Sequence, residues 1–329
     1  MELPPALRAA LDDPAAPLPA KRLAVVSADL SRRYRSGAVP AGPVARTAEE
    51  IAAYAATRLP ATYAAVRAAL EQTRARLPGW RPRALLDVGA GPGTAAWAAA
   101  EVWPDLERVT LVEREAGMIA LGRRLAASAP SPALRAAAWR QADLTGNWDA
   151  APPDTNAQDD LVVAAYVLGE LAPERVAALV AALWERAGGV LLLAEPGTPA
   201  GFARIRAARD GLLAAGARTA APCPHDMPCP MPAGDWCHFA QRVARSRQHR
   251  QAKGGDLGYE DEKFAYAAFT RLAPAPTAAR VIRHPQTRPG LVQLELCTAN
   301  GLTRQTVTRK DGERFRVARD LRWGSALPE

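Results

Sequence analysis

The rhythm of apolar and polar positions changes near residue 83 of this 329-residue chain. Before that point apolar residues recur at helical spacing, most evenly over 59–77, and Pro14, Pro17, Pro19, Pro40, Pro43 and Pro60 read as breaks. Residues 1–80 are therefore expected to form a helical region. Beyond it, short apolar runs bounded by turn residues alternate with helical patterns. Strands are predicted over 84–88, 111–113, 140–143, 160–168 and 190–195, and helices over 94–101, 173–186 and around 202–215. Such alternation specifies an α/β fold with a parallel, doubly wound sheet. Further on, 281–284 and 291–296 are expected as its sixth and seventh strands, the latter delivering Cys297. The tail, 303–322, alternates around Lys310-Asp311-Gly312, an Asp-Gly signal for a β-hairpin. The chain thus divides into a helical region (1–80), a Rossmann-like core (81–217), an insertion (218–270), last core strands (271–300) and a basic hairpin tail (301–329).

The first strand ends in Leu86-Asp87-Val88-Gly89-Ala90-Gly91-Pro92-Gly93-Thr94. A strand, a Gly-x-Gly-x-Gly turn and a helix let backbone approach a ligand closely, and the helix start offers free N–H groups to an anion. Glu113, at the end of the next strand, suits a contact to ribose hydroxyls, and its charge disfavours a 2′-phosphate there. Asp143, closing the third, could accept from an adenine amino group. The glycine run resembles the first motif of class I S-adenosylmethionine-dependent methyltransferases rather than the dehydrogenase pattern Gly-x-Gly-x-x-Gly. That resemblance implies that Gly89, Gly91 and Gly93 line the methionine moiety, with Glu113 on the ribose and Asp143 at the adenine. Asp87, Thr94 and Tyr166 complete the candidate cofactor-binding set. After the fourth strand the chain reads Ala164-Ala165-Tyr166-Val167-Leu168-Gly169-Glu170, where many amino-group methyltransferases carry Asn-Pro-Pro-Tyr. Tyr166 and Glu170 could border a substrate pocket, and no residue is assigned to catalysis.

The chain has four cysteines, and Cys223, Cys229 and Cys237 fall within fifteen residues of one another, with Cys297 further on. Four thiolates are what a tetrahedral zinc ion or a four-iron cluster requires. Five prolines between residues 222 and 232 stiffen the loop and lower the entropy cost of gathering ligands. The gaps are wider than those usual in zinc fingers, which favours iron–sulfur and keeps zinc as the alternative. His225 and His238 sit beside the thiols as neighbours or replacement ligands. No uncharged apolar run approaches the length of a membrane span. The N-terminus shows neither a signal nor a transit pattern, so a soluble, cytoplasmic protein without disulfides is expected, a monomer when free.

Net charge adds a partner. From His238 onward there are 17 Lys+Arg against 9 Asp+Glu, whereas the first 237 residues carry 25 of each. All of the +8 therefore follows the cysteine loop, the footprint of a polyanion binder. Arg242, Arg245, Arg247, Arg250 and Lys253 read as one basic helix poised to meet phosphates.

Three stretches taken together resemble one family. They are the glycine turn, Ala194-Glu195-Pro196-Gly197-Thr198-Pro199-Ala200-Gly201-Phe202, and the block from Cys223-Pro224-His225-Asp226 to Cys237-His238-Phe239 followed by 253–264. The family is that of methyltransferase-like small-ribosomal-subunit proteins, the Rsm-twenty-two-like family, here as a bacterial-type member; its mitochondrial members act in small-subunit assembly. The resemblance implies a class I S-adenosylmethionine-dependent methyltransferase fold (Rossmann-like) with an N-terminal helical region, a four-cysteine metal-cluster insertion and a small C-terminal β extension. It also implies a [4Fe-4S] cluster on Cys223, Cys229, Cys237 and Cys297, and binding to the small ribosomal subunit and its rRNA. The competing reading is a small-molecule or protein methyltransferase with structural zinc, which has no need of a +8 appendage.

Overall fold

The structure is a computed structural model that describes residues 1–12, 18–35, 47–144, 158–253 and 257–327. The N-terminal region is helical as expected, with α1 (Pro5–Asp12), α2 (Ala20–Arg35) and α3 (Ala48–Arg76). A capping box starts α3: the Thr47 hydroxyl accepts from the Glu50 N–H, and the Glu50 carboxylate accepts from the Thr47 N–H. Pro60 does not break this helix, which runs through it. The missing N–H removes one internal hydrogen bond. Burial of Leu59, Tyr63, Val66 and Leu70 in the main core outweighs that loss. Pro19 directly precedes α2, whereas Pro14, Pro17, Pro40 and Pro43 lie outside the described residues.

The α/β core follows: β1 (Ala84–Val88), α4 (Thr94–Val102), β2 (Arg108–Glu113), α5 (Ala116–Ala126), α6 (Pro132–Arg135), β3 (Ala138–Gln141), β4 (Asp159–Ala165), α7 (Pro173–Arg186), β5 (Ala187–Pro196) and α8 (Pro199–Ala214). After these come β6 (Arg218–Ala221), β7 (Phe239–Ala244), α9 (Arg247–Lys253) and β8 (Tyr259–Thr270). The sheet order is β3-β2-β1-β4-β5-β8-β6. The first five are mutually parallel, and β8 runs antiparallel to both β5 and β6. Strand residues alternate between two cores. Leu85, Leu161, Val163, Val190 and Leu192 pack toward α3 and α4, while Leu86, Val162, Leu191 and Leu193 pack toward Leu179, Leu183, Ile205 and Leu212 of α7 and α8. A sheet covered on both faces explains why its strands read as unbroken apolar runs.

The expected sixth and seventh strands are corrected here. Those places in the sheet belong to β8 and β6. Instead β9 (Ala279–Val281), β10 (Gln286–Arg288), β11 (Leu291–Thr298), β12 (Gly301–Thr308) and β13 (Ala326–Leu327) form a second, antiparallel sheet, backed by α10 (Glu313–Asp320). The expected hairpin at Asp311-Gly312 is corrected too. That pair lies between a 3-10 turn (Arg309–Asp311) and α10. The tight reversal is instead at Ala299-Asn300, joining β11 to β12, and Gly301, the first residue of β12, takes φ of +111°. Among the described residues, no helix is long and apolar enough to cross a membrane.

β8 sets the position of the insertion. Along one edge it pairs with β5 through Phe264–Thr270. On its other edge β6 takes Ala268–Thr270 and β7 takes Tyr259–Phe264. The chain leaves the sheet between these two contacts, over residues 265–267, and that excursion carries Cys223, Cys229 and Cys237.

Candidate functional site

The C-terminal ends of β1, β2 and β4 open into a cleft bordered by Gly89, Gly91, Glu113, Asp143, Tyr166 and Glu170. Its floor is the glycine turn. The Gly89 and Ala90 N–H groups donate to the Val112 carbonyl at 2.9 and 3.0 Å, and Gly89, Gly91 and Gly93 take φ of +69°, +54° and +80°. A Cβ at Gly89 would lie 2.5 Å from Val167 Cγ2, so both the backbone and the space demand glycine. Glu113 is buried. Its Oε2 accepts from the Gly91 N–H at 2.8 Å and its Oε1 from the Glu115 N–H at 2.9 Å. Burial raises its pKa while these backbone donors oppose the rise. The carboxylate keeps acceptor capacity for a ligand hydroxyl.

Not every candidate reaches the cleft. Asp87, Gly93 and Thr94 are absent from its lining. Asp87 lies beneath the turn and accepts from the Ala96 N–H at 3.2 Å, which anchors the start of α4, and burial pushes its carboxyl up to about 7. Gly93 caps α4, and the buried Thr94 hydroxyl has no hydrogen-bond partner among the described residues. Asp143 lines the cleft from the loop after β3, two residues beyond the strand that was expected to end in it.

Tyr166 is held at φ of +61°, a conformation that costs a non-glycine residue about 1–3 kcal/mol. Two bonds fix it: its N–H donates to the Ala194 carbonyl at 2.7 Å, and its hydroxyl to Glu262 Oε1 at 3.1 Å. Arg58 pairs with the same carboxylate at 3.2 Å. Beside them Glu170 is pushed up to about 7, chiefly by burial, against the pull of Arg114 at 3.5 Å. Sequence reasoning missed Tyr54 and Arg58, which enter the lining from α3. Their i, i+4 spacing was the available signal.

All four cysteines are free thiols, and all four border one small, largely apolar cavity under the β6–β7 excursion. Cys297 comes from the second sheet, so the cavity joins the two sheets. Its Sγ lies 3.5 Å from His225 Nε2. Burial pushes the Cys297 thiol up to about 12, with Cys223 and Cys229 adding to the rise, and Cys237 is raised well above its ordinary value for the same reasons. Among the described residues, no three His, Cys, Asp or Glu side chains are grouped so as to hold a metal ion. The expected metal insertion is therefore present as a shared thiol cavity and not as a closed coordination shell. His238 is engaged elsewhere, stacked on Trp236 with ring centroids at 5.3 Å and edge-to-face with Trp323 at 4.9 Å.

The expected basic helix is corrected. Arg242 is on β7 and Arg245 follows it; only Arg247, Arg250 and Lys253 are helical, on α9. Acidic residues of β8 pair with three of the five: Asp261 with Arg242 at 2.9 Å, and Glu260 with Arg245 at 3.0 Å and Lys253 at 2.6 Å. His249, fully buried, meets the same Glu260 at 3.2 Å. Burial opposes ionisation of Glu260, but its hydrogen bonds to His249 and Lys253 prevail and hold the carboxyl well below its usual range. Arg247 and Arg250 are exposed and form no ion pair among the described residues. Gly254 and Gly255, next in sequence after Lys253, lie outside those residues.

Five parallel strands followed by antiparallel β8 and then β6, with a glycine turn and an acid at the ends of β1 and β2, give an α/β protein with the sheet order of the class I methyltransferase fold. Solved structures similar to it include magnesium protoporphyrin IX methyltransferase from Synechocystis PCC 6803 with bound SAH (14% identity, 77% of this chain and 97% of that one, TM-score 0.41). Another is the ribosomal protein L11 methylase of Lactobacillus delbrueckii subsp. bulgaricus (17%, 62% and 76%, TM-score 0.36). The model of the family "Mitochondrial small ribosomal subunit Rsm22" matches residues 48–328, and the chain belongs to that family. It is similar to the human mitochondrial ribosome assembly protein METTL17, at 31% identity over 295 residues, 84% of this chain. It is also similar to the mitochondrial Rsm22-cox11 tandem protein 2 of Schizosaccharomyces pombe, at 26% over 299 residues, 74% of this chain. The chain spans 62% of the human relative's length and 38% of the yeast one's. These findings overturn the expectation of a cytoplasmic protein, since the family and both relatives are described as mitochondrial.

Proposed function

We propose that the chain is a small-ribosomal-subunit assembly protein that binds S-adenosylmethionine in the β1–β2–β4 cleft, carries a [4Fe-4S] cluster on its four cysteines and contacts rRNA. The observation that carries this reading is the family match, whose span of 48–328 takes in both the cleft and the thiol cavity. In the cleft Gly89 and Gly91 would let a ligand lie against backbone, Glu113 would accept from the ribose hydroxyls, and Asp143 is assigned to the adenine amino group. Tyr166 and Glu170 are assigned to the border of a substrate pocket. Neither Asn-Pro-Pro-Tyr nor a cysteine outside the thiol cavity is available, so the reading assigns binding and no catalytic residue.

The donor set fits a metal centre: four thiols and no carboxylate line the cavity. Four sulfurs around one zinc, each at about 2.3 Å from the ion, must crowd within about 4 Å of one another. A four-iron core holds its ligands further apart, and either centre would draw on the four thiols that border this cavity. Such a centre, when bound, supplies a one-electron store and a covalent tie between the two sheets; zinc supplies the tie alone. For rRNA the available cations are Arg247 and Arg250 on α9, with Arg288, Arg309, Lys310 and Arg314 at one end of the second sheet, all exposed.

Anaerobically purified protein should contain iron and acid-labile sulfide and should bind S-adenosylmethionine by calorimetry. It should also co-sediment with small subunits. Zinc without sulfide would defeat the cluster, and absence of co-sedimentation would defeat the assembly role.

A further inference from the structure

Arginines border the thiol cavity, and no acid among the described residues lines it to balance them. Along α8, Phe202, Ile205, Arg206 and Arg209 turn one face to the cavity, at the i, i+3, i+4, i+7 spacing of a helix stripe. Arg209 is 3% exposed. Its Nη2 donates to the His225 and Met227 carbonyls at 3.0 and 2.7 Å, while its Nε has no hydrogen-bond partner among the described residues. Its nearest acid is Asp210, 3.5 Å from Nη1 and itself exposed. Arg206 lines the cavity and donates to the Met231 carbonyl at 3.3 Å.

Arg280, 1% exposed, is the register partner of Cys297 across β9 and β11. Its Nε donates at 2.6 Å to the carbonyl of Pro222, the residue before Cys223, and its Nη1 donates to the Gly324 carbonyl at 2.8 Å and to Gln72. Its Nη2 is buried and finds no partner among the described residues. Neither Arg206 nor Arg280 forms an ion pair with a described acid.

Carbonyl partners satisfy N–H groups but leave the charge itself uncompensated, and a buried charge without a counter-charge is costly. Four neutral thiols do nothing to offset it. Four thiolates do: a divalent ion or a cluster core of similar charge neutralises only part of them, so the bound centre is net negative.

We propose that Arg209 and Arg280, with Arg206 beside them, are the built-in counter-charge of a net-anionic, thiolate-ligated metal centre, so that the cavity favours the more negative redox state of its occupant. The inference rests on the metal-centre reading above. It concerns positioning residues: the arginines hold charge beside the sulfurs and ligate nothing. Moving one electron onto a cluster adds negative charge next to these guanidiniums, so their presence raises the midpoint potential.

The test compares wild type, Arg209→Gln, Arg280→Gln and Arg209→Lys, purified anaerobically, for iron, zinc and sulfide content, rate of metal loss to a chelator, midpoint potential and melting temperature with and without metal. Each Gln variant should lose its metal several-fold faster and show a lower midpoint potential. Without metal it should melt no lower than metal-free wild type, since an uncompensated charge has gone. Arg209→Lys, which keeps the charge, should hold the wild-type potential. Equal destabilisation of loaded and metal-free protein with an unmoved potential would make the arginines simple loop ties and overturn the inference, leaving the metal centre in place. Wild-type protein holding zinc would remove the cluster from the proposed function, and the counter-charge would then stand or fall on zinc retention in the variants. Protein with neither metal would overturn both.

Discussion

A methyl group at Gly89 has nowhere to go: Val167 blocks it at 2.5 Å, and φ of +69° disfavours any side chain. Gly89→Ala should therefore cost about 1–3 kcal/mol of stability and abolish S-adenosylmethionine binding, read by thermal melting and calorimetry. Asp87 yields a pH prediction. Its folded pKa, about 7, lies above the roughly 3.9 of an unfolded aspartate. The fold favours the protonated form, so that stabilisation is complete below about pH 4 and is lost as pH rises toward 7. Asp87→Asn keeps an acceptor for the Ala96 N–H and should raise the melting temperature at pH 8 while leaving it nearly unchanged at pH 4. Glu170 contributes in the same direction, so the slope should shrink without vanishing. At this scale the sequence was legible where backbone geometry dictates residue type, as at the glycines and at Glu113. It was silent on Glu262, and the i, i+4 spacing of Tyr54 and Arg58 gave them a shared helix face but no role, because their chemistry arises only when α3 and β8 meet beside Tyr166.

Among the elements, β8 was the least legible. Its first half, Tyr259-Glu260-Asp261-Glu262-Lys263, reads as a solvated charge run because its counter-charges are far away in sequence or on other elements. Glu260 gathers Arg245, His249 and Lys253, Asp261 takes Arg242, and Glu262 takes Arg58 and the Tyr166 hydroxyl. The two fully buried faces of β1, β4 and β5, by contrast, announce themselves in any reading of apolar runs. The Asn300-Gly301 pair carried a signal as strong as Asp311-Gly312. Only the pairing of β11 with β12 shows which is the hairpin. Glu260→Gln should weaken the hold on α9, and hydrogen exchange over 247–253 should accelerate at least several-fold. Cofactor affinity should not change, since Glu260 is absent from the cleft. Unaltered exchange would show that α9 is kept in place by Ala252 against Leu23, Val26 and Leu30 alone.

For the whole molecule, the excess of positive charge belongs to different side chains from those the linear sequence suggests. Arg242, Arg245 and Lys253 are balanced within the protein. Reversing Arg247 and Arg250 together should weaken small-subunit association and flatten its salt dependence, by about 0.7–0.9 in the log–log slope for each phosphate no longer neutralised. Reversing Arg242 should chiefly cost stability. Co-sedimentation across a salt series checks both, and equal binding by all variants would place the RNA surface elsewhere, with Arg288, Arg309, Lys310 and Arg314 next in line. The position of β8 has a further consequence for the order of events during synthesis. The strand that fills the gap between β5 and β6 is made after both, some sixty residues behind β5. Until residue 270 leaves the ribosome, the apolar run of β5 waits with an open edge, a template for wrong partners. Nascent chains halted before residue 259 emerges should be bound by chaperones or aggregate, whereas chains halted once residue 270 has cleared the ribosome should be released, a contrast that staged arrest and pelleting can read directly.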